Sequence, residues 1–345
     1  MTSPGADEGH CEVTARTSKR VHVVIVNYRC APLTIDCLTS IADEVATLPG
    51  TTATVVDNAS GDESVERISG AIRERGWSSW ATLLPLDENR GFAAGNNAAI
   101  RPVLASAEPP SYVLLLNPDT VARPGAIAAL VDCLEREPAV GVAGSYLEHA
   151  DGSHQPSAYR FPSILGEIDR GLHVTFASHL LRRLMPPLPS ANEEGPTDWV
   201  SGASMMVRRE VFDAIGLLDD GYFLYYEEVD FIHRVRRAGW ACWYVPSSRV
   251  VHLAGQSTGL TGPSSDGRRR VPAYWFHSRR RYFRKNLGLA RTILADLAWG
   301  SSFALHRTRR FLFRRTDHDP EKLLADFLRH NVFHAYAGRW DRRIE

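Results

Sequence analysis

The chain has 345 residues, with 40 Lys+Arg against 40 Asp+Glu, 44% hydrophobic and 23% charged residues. That length can bury a substantial core, as one large or two modest domains, and the composition is that of a soluble globular protein. The balanced charge names no partner, and no uninterrupted apolar run approaches the ~20 residues of a membrane helix.

Residues 1–20 read as a disordered polar tail with no signal-peptide stretch. The β-branched run Val21–Val26 predicts a strand buried on both faces. Residues 31–47 predict a helix from the spacing of Leu33, Cys37, Leu38, Ile41 and Val45. A strand over 53–56 ends at Asp57-Asn58-Ala59-Ser60, and a helix from Asp62 to about Arg75 leads to a strand near 82–85. Tyr112–Leu116 reads as a strand ending at Asn117-Pro118-Asp119, followed by a helix from Pro124 to Glu135 and a strand over 140–143. This alternation predicts an α/β fold with helices on both faces of a mostly parallel sheet, where ligands bind beyond the carboxyl ends of the strands. Residues 146–197 are less regular. Order returns at Trp199–Val207, followed by a helix near 209–215, an aromatic run at 222–226 and a helix over 227–238 stopped by Gly239.

Each polar motif at a strand end has two readings. Asp119 either caps the helix near Pro124 or offers a carboxylate to a divalent cation on a diphosphate, which needs few protein oxygens. Asp57 and Asn58 either form a turn, or the Asp57 carboxylate accepts a hydrogen bond from the imide N–H of a uracil or thymine base. In Asn89-Arg90-Gly91-Phe92-Ala93-Ala94-Gly95-Asn96-Asn97 the two glycines let backbone approach a ligand. The asparagine amides suit sugar hydroxyls, and Arg90 suits a phosphate; a plain glycine-rich turn is the other reading. No G-x-G-x-x-G follows the first strand, so a dinucleotide site is not indicated. Glu227, Glu228 and Asp230 favour a helix dipole as first-turn acids. Sunk beside the aromatic run, such a cluster also gains the raised pKa of a general base, and Asp230 can pair with Arg234 at i+4. His252, after Val250-Val251, is either an ordinary edge residue or a metal ligand. The five cysteines are scattered without zinc-ligand spacing and read as reduced thiols in a cytoplasmic protein.

Taken in order, these motifs resemble the inverting family-2 glycosyltransferases of the GT-A fold, in the rhamnosyltransferase-like branch of bacterial polysaccharide and glycoconjugate assembly. The matching segments run from Val26-Asn27-Tyr28 through Asp57-Asn58, Asn89–Asn97, Asn117-Pro118-Asp119, Trp199–Ala203 and Gly216–Phe231 to Arg237-Ala238-Gly239-Trp240, within residues 21–285. The resemblance implies a Rossmann-like GT-A domain over 21–265, with a nucleotide half over 21–145 and an acceptor half over 146–265. A basic, aromatic helical extension would occupy 266–345. It implies donor contacts from Asn27, Asp57, Asn58, Arg90, Gly95, Asn96 and Asn117. It also implies Mg2+ or Mn2+ on Asp119 and His252, and a sugar and acceptor pocket shaped by Trp199, Gly202 and Tyr226. Glu228 matches the catalytic base, with Glu227 its rival and Asp230 supporting. Two departures stand out: Asn117 replaces a first metal-motif Asp, and Glu227-Glu228 replaces the commoner Glu-Asp.

The implied reaction moves a sugar from a dTDP- or UDP-sugar, dTDP-rhamnose first, to a glycan, lipid-linked or small-molecule acceptor. No nucleic acid is involved. The basic-aromatic stretch 268–285 would be a solvated basic helix or a contact to the inner membrane face or the acceptor. Residues 290–315 would extend it as an interfacial helix carrying Ile293, Leu294, Leu297, Trp299 and Phe303. An inactive GT-A-like binding protein and a nucleotidyltransferase are the competing classes. The latter would release pyrophosphate and carry a Lys-containing phosphate loop that is missing near Asn27.

Overall fold

A computed structural model describes residues 20–174, 184–185, 187–253, 269–314, 316–317 and 319–333. The elements follow the expected alternation: β1 Val21–Asn27, α1 Ala31–Thr47, β2 Thr52–Asp57, α2 Ser64–Glu74, β3 Ala81–Pro85, α3 Phe92–Leu104 and β4 Tyr112–Leu116. Next come β5 Thr120–Ala122, α4 Ala126–Arg136, β6 Val140–Glu148, β7 His154–Gln155, β8 Ala158–Tyr159 and α5 Ile164–Leu172. The second half contains β9 Gly195–Pro196, β10 Trp199–Val200, β11 Ser204–Arg208, α6 Arg209–Ile215, α7 Glu227–Arg237 and β12 Ala241–His252. The helices α8, Ala273–Leu312, and α9, Leu323–Phe327, with the π-helical Leu328–Phe333 that follows, close the described chain.

One sheet in the order β3-β2-β1-β4-β11-β6-β12-β5 forms the core. Strands β3, β2, β1 and β4 are parallel; β11 runs against both β4 and β6, β12 is parallel to β6, and β5 is antiparallel to β12. Period-2 alternation explains why the strands read as unbroken apolar runs. Val21, Val23 and Ile25 pack on one side with Leu38, Ile68 and Leu130 of α1, α2 and α4. Val24 and Val26 pack on the other with Ala99, Val211 and Phe231 of α3, α6 and α7. The functional consequence lies at the sheet edge, where β1, β2 and β4 all end on one side and deliver Asn27, Asp57 and Asn117 together.

Helix α3 was not expected. The glycine-rich segment after Asn89 enters a helix at Phe92, so Gly95, Asn96 and Asn97 lie in its buried first turns. A Cβ on Gly95 would stand 3.0 Å from Val26 Cγ1, so this glycine lets the helix press onto β1 instead of letting a ligand approach.

The C-terminal stretch also departs from expectation. Helix α8 is broken at Gly288, whose φ of 79° and ψ of 169° are non-helical. The arm over 289–312 folds back on that over 273–287, so that Trp299 and Phe303 cluster with Phe276. Arg279 is fully buried; it meets Glu167 of α5 at 2.7 Å and Asp296 of the second arm at 2.5 Å. Rings of Phe283 and Phe327 lie 4.6 and 4.9 Å from its guanidinium. Removing one partner from so buried a set costs about 3–5 kcal/mol, because the remaining charges are stranded. The described part of the segment 268–285 is therefore amphipathic: Arg269, Arg270, His277, Arg284 and Lys285 are exposed, while Phe276, Ser278, Arg279, Tyr282 and Phe283 are buried. Trp299 and Phe303 likewise face inward and belong to no interface.

Candidate active site

A cleft of about 290 Å3 opens at the carboxyl edge of β1 and β4, among Val26, Tyr28, Asn58, Gly91, Asn117 and Tyr274. Phe92 and Pro118 also line it, and Phe223 and Leu224 face it from the aromatic run. Gly91 has φ +92°, and its amide neighbour Phe92 N donates to Phe223 O at 2.7 Å. A Cβ there would stand 2.6 Å from the Phe223 carbonyl carbon, which is backbone and cannot yield cheaply. Gly91→Ala is accordingly expected to cost about 2–4 kcal/mol, from positive φ and the clash together. A urea midpoint equal to wild type would refute that account of the turn.

Behind the cleft wall lies a saturated polar network. Asp57 accepts from Asn27 Nδ2 at 2.7 Å, Ser60 Oγ at 2.6 Å and Ser60 N at 3.1 Å. Asn27 Oδ1 accepts from Thr34 Oγ1 at 2.8 Å and from Cys30 Sγ at 3.4 Å. Both residues are buried and neither lines the cleft. Their geometry ties β1 to β2 and fixes the turn at 57–60. Asn58 does face the cleft: its Nδ2 donates to Asn89 Oδ1 at 3.0 Å and to Gly91 O at 3.2 Å. Arg90 is exposed and outside the lining. Asn96 Nδ2 is engaged with Phe92 O at 2.9 Å, and Asn97 clamps Leu218 through both its N–H and its carbonyl. The expected ribose and sugar contacts from Arg90, Gly95 and Asn96 are thus not brought to the cleft.

Asp119, 1% exposed, sits just beyond β4, and the β5–β12 pairing carries His252 to it. His252 Nε2 lies 3.5 Å from Asp119 Oδ1 and 3.5 Å from Asn117 Nδ2. His252 Nδ1 is buried with no hydrogen-bond partner among the described residues. The 3.5 Å separation of a carboxylate oxygen and an imidazole nitrogen is one that two ligands of a single divalent ion take, at about 2.0–2.2 Å each. Among the described residues no three His, Cys, Asp or Glu side chains form a metal cluster. The pair fits an ion whose other ligands come from phosphates and water.

The acidic helix α7 starts from a strained turn. Tyr225 and Tyr226 both have φ of 69°, in the left-handed region that ordinary residues avoid. The extension holds them there: Tyr226 packs on Trp275 and Tyr282, and Ser278 Oγ donates to Leu224 O at 2.9 Å. Tyr226 is buried in this packing and absent from the cleft lining. The turn splits the three carboxylates. Asp230 is fully buried and accepts from Tyr222, Arg234, Lys285 and Asn286 at 2.7–3.2 Å. It anchors the helix and takes no place among reacting groups. Glu227 is buried, and desolvation followed by the neighbouring Glu228 charge holds its pKa well above the usual carboxylate range. Glu228 is half-buried, and desolvation pushes it up to about 7. Neither Oε2 has a hydrogen-bond partner among the described residues.

The turn at 201–203 links the two acidic regions. Ala203 O accepts from Asn117 N at 2.9 Å, and the place a Cβ of Gly202 would take lies 3.6 Å from Glu228 Cβ and 3.8 Å from Phe92 Cε1. Trp199, one step earlier, stacks on Tyr159 at 4.4 Å, and the Glu228 charge raises the Tyr159 pKa after burial. Glu228 and Phe92 thus both pack at Gly202, and the adjacent Ala203 holds Asn117; of these, Phe92 and Asn117 line the cleft, whereas Glu228, Gly202, Asp119 and His252 lie outside its lining. Tyr274, Phe223 and Leu224 were given no site role by the sequence, although aromatic residues in a basic stretch and beside an acidic cluster were the available signal.

A mixed sheet with a cleft at its carboxyl edge, a carboxylate–imidazole pair and two adjacent carboxylates with raised pKa define a protein of the GT-A type. The same fold appears in the mannosyltransferase PcManGT from Pyrobaculum calidifontis, solved with GDP-Man and Mn2+, at a TM-score of 0.58 and 16% identity over 94% of this chain and 89% of that one. Residues 22–216 match the family model for glycosyl transferase family 2, and the chain belongs to that family. It is similar to the N-acetylglucosaminyl-diphospho-decaprenol L-rhamnosyltransferase of Mycobacterium tuberculosis, 35% identical over 51% of this chain and 60% of that protein. It is also similar to the rhamnosyltransferase WbbL of Escherichia coli, 28% identical over 48% and 61%. The chain spans about three-fifths of the length of these relatives.

Proposed function

We propose that the protein is an inverting glycosyltransferase that moves a hexose, rhamnose from dTDP-rhamnose first, to a hydroxyl of a glycan carried on a lipid diphosphate. The observation that carries this reading is the 201–203 turn, which holds Asn117 at the cleft and packs against Glu228. Asn117 and Phe92 line the cleft, and Glu228, which lies outside that lining and whose pKa burial pushes up to about 7, packs beside Phe92 at Gly202; this supports a base close to a diphosphate-binding cleft. The names of the two curated relatives support the sugar and, in one case, the lipid-diphosphate acceptor.

In this reading Asn58, Tyr28 and Tyr274 enclose the nucleoside, with Asn27 and Asp57 fixing the loop that presents Asn58. Asp119 and His252 hold a divalent ion, for which the carboxylate and imidazole donors suit Mn2+ or Mg2+. When bound, that ion compensates the charge that builds on the departing diphosphate. Glu228 takes the proton of the acceptor hydroxyl. The oxygen bonds to the anomeric carbon from the face opposite the diphosphate, the carbon–oxygen bond to phosphate breaks with its electron pair, and the configuration inverts. Glu227, buried beside it, has its pKa held well above the usual carboxylate range by desolvation and by the Glu228 charge.

The deciding experiment is nucleoside diphosphate release from dTDP-rhamnose, UDP-glucose and GDP-mannose with a lipid-diphosphate glycan acceptor. Acceptor-dependent release of dTDP is expected. Release of pyrophosphate, or no release with any donor, would overturn the proposal.

A further inference from the structure

The second arm of α8 carries more exposed apolar surface than its packing requires. Leu294, Leu297, Leu305 and Leu312 recur at helical spacing and are each 52–68% exposed, on the side opposite the buried Trp299 and Phe303. The arm ends in Phe311 and Phe313, which are 83% and 70% exposed. The stripe lies on the ridge of a helix, not in a groove, so it offers no slot for a peptide.

Charge singles out the occupant. The only acid between 289 and 312 is Asp296, and it is turned inward against Arg279. Arg291 and Arg309 fall together on one flank of the stripe at helical spacing, and Arg314 is exposed just past its end. Arg307 and Arg310 are partnered by Asp317 and Asp319, so among the described residues the charge left beside the stripe is that of the exposed Arg291 and Arg314 and the half-buried Arg309. A second copy of the arm, packed symmetrically on the stripe, would set these like charges against each other. An apolar ridge flanked by guanidinium groups instead matches the layered chemistry of an anionic bilayer, with acyl chains below and phosphates at the rim. No helix of the described residues is long and apolar enough to cross a membrane, so the contact would be lateral.

We propose that the outer face of this arm, from Leu294 to Phe313, seats the protein on an anionic phospholipid surface. The antiparallel arm carries Tyr274 into the cleft wall, and the buried Arg279 bridge makes the two arms one body. Docking through the stripe therefore fixes the cleft relative to the lipid surface. The proposal stands on the arm alone and does not depend on which sugar the cleft takes.

The test uses the full chain in co-sedimentation with vesicles of phosphatidylcholine and of phosphatidylcholine mixed with phosphatidylglycerol. Partition is expected onto the mixed vesicles, falling about ten-fold when salt is raised enough to shrink the Debye length to a few ångströms. The double variant Leu297→Glu/Leu305→Glu is expected to lose partition at least ten-fold. Arg291→Glu/Arg309→Glu should lose only the anionic-lipid preference. Both should keep the wild-type circular dichroism spectrum and nucleotide-dependent thermal shift. Three outcomes would overturn the proposal: no partition by the wild type onto mixed vesicles, partition that survives the leucine variant, or a solution dimer that the leucine variant dissociates.

Discussion

Glu228→Gln is expected to lower acceptor-dependent transfer by about 10²–10⁴-fold while leaving nucleotide binding intact, the range for losing a general base. The amide keeps the shape that packs against Gly202 but cannot accept the hydroxyl proton. Wild-type kcat/KM should fall as pH drops through about 7, where burial has moved the Glu228 carboxyl. The stability change has the opposite sign. Between the ordinary carboxylate pKa and about 7 the native protein holds a proton that the unfolded chain has released. Its stability is therefore highest below that window and falls as pH rises through it. Gln carries no such penalty, so the variant should melt above wild type near pH 8 and level with it near pH 4.5. Release assays and melting curves at the two pH values check both halves. Unchanged transfer would take Glu228 out of the base role and pass that role to Glu227.

The other large effect is expected at Asp119. Replacing it with Ala should reduce transfer by about 10³-fold or more, the scale of losing a charge-stabilising group at a departing anion. It should also erase the part of the nucleotide-induced thermal shift that requires Mn2+, leaving the metal-independent part. His252→Ala should weaken that shift without erasing it, because the carboxylate remains beside the Asn117 amide. An Mn2+-dependent shift that persists at full size in Asp119→Ala would place the ion elsewhere.

Most of the scaffold was legible because buried parallel strands write themselves as apolar runs, and their ends expose short polar motifs. Val21–Val26 and Tyr112–Leu116 are of this kind, and Asn27, Asn117 and Asp119 stand at or just past their ends. What was not legible depends on partners distant in sequence. Asp57 and Asp119 look alike as acids after a strand, yet Ser60 and Asn27 satisfy the first while the second faces a histidine 133 residues further on. Asp230 looks like Glu228 until Lys285 and Asn286 arrive to saturate it. Gly95 fits both a ligand loop and a helix packed tightly on a strand, and only the neighbouring Val26 decides. The aromatic and arginine residues of 274–285 carry no periodic sign that separates a solvated face from a core, because the arm they pack against begins beyond Gly288.

The paired left-handed tyrosines at 225 and 226 set two demands on the chain against each other. Glycine at either position would ease folding, since it occupies that conformation without penalty. It would also release the rings by which the extension grips the turn, and with them the aim of the carboxylate that follows. Ease of folding and a fixed entry to the helix thus compete within two residues, and the protein keeps the costlier side chains where the helix carrying Glu228 begins.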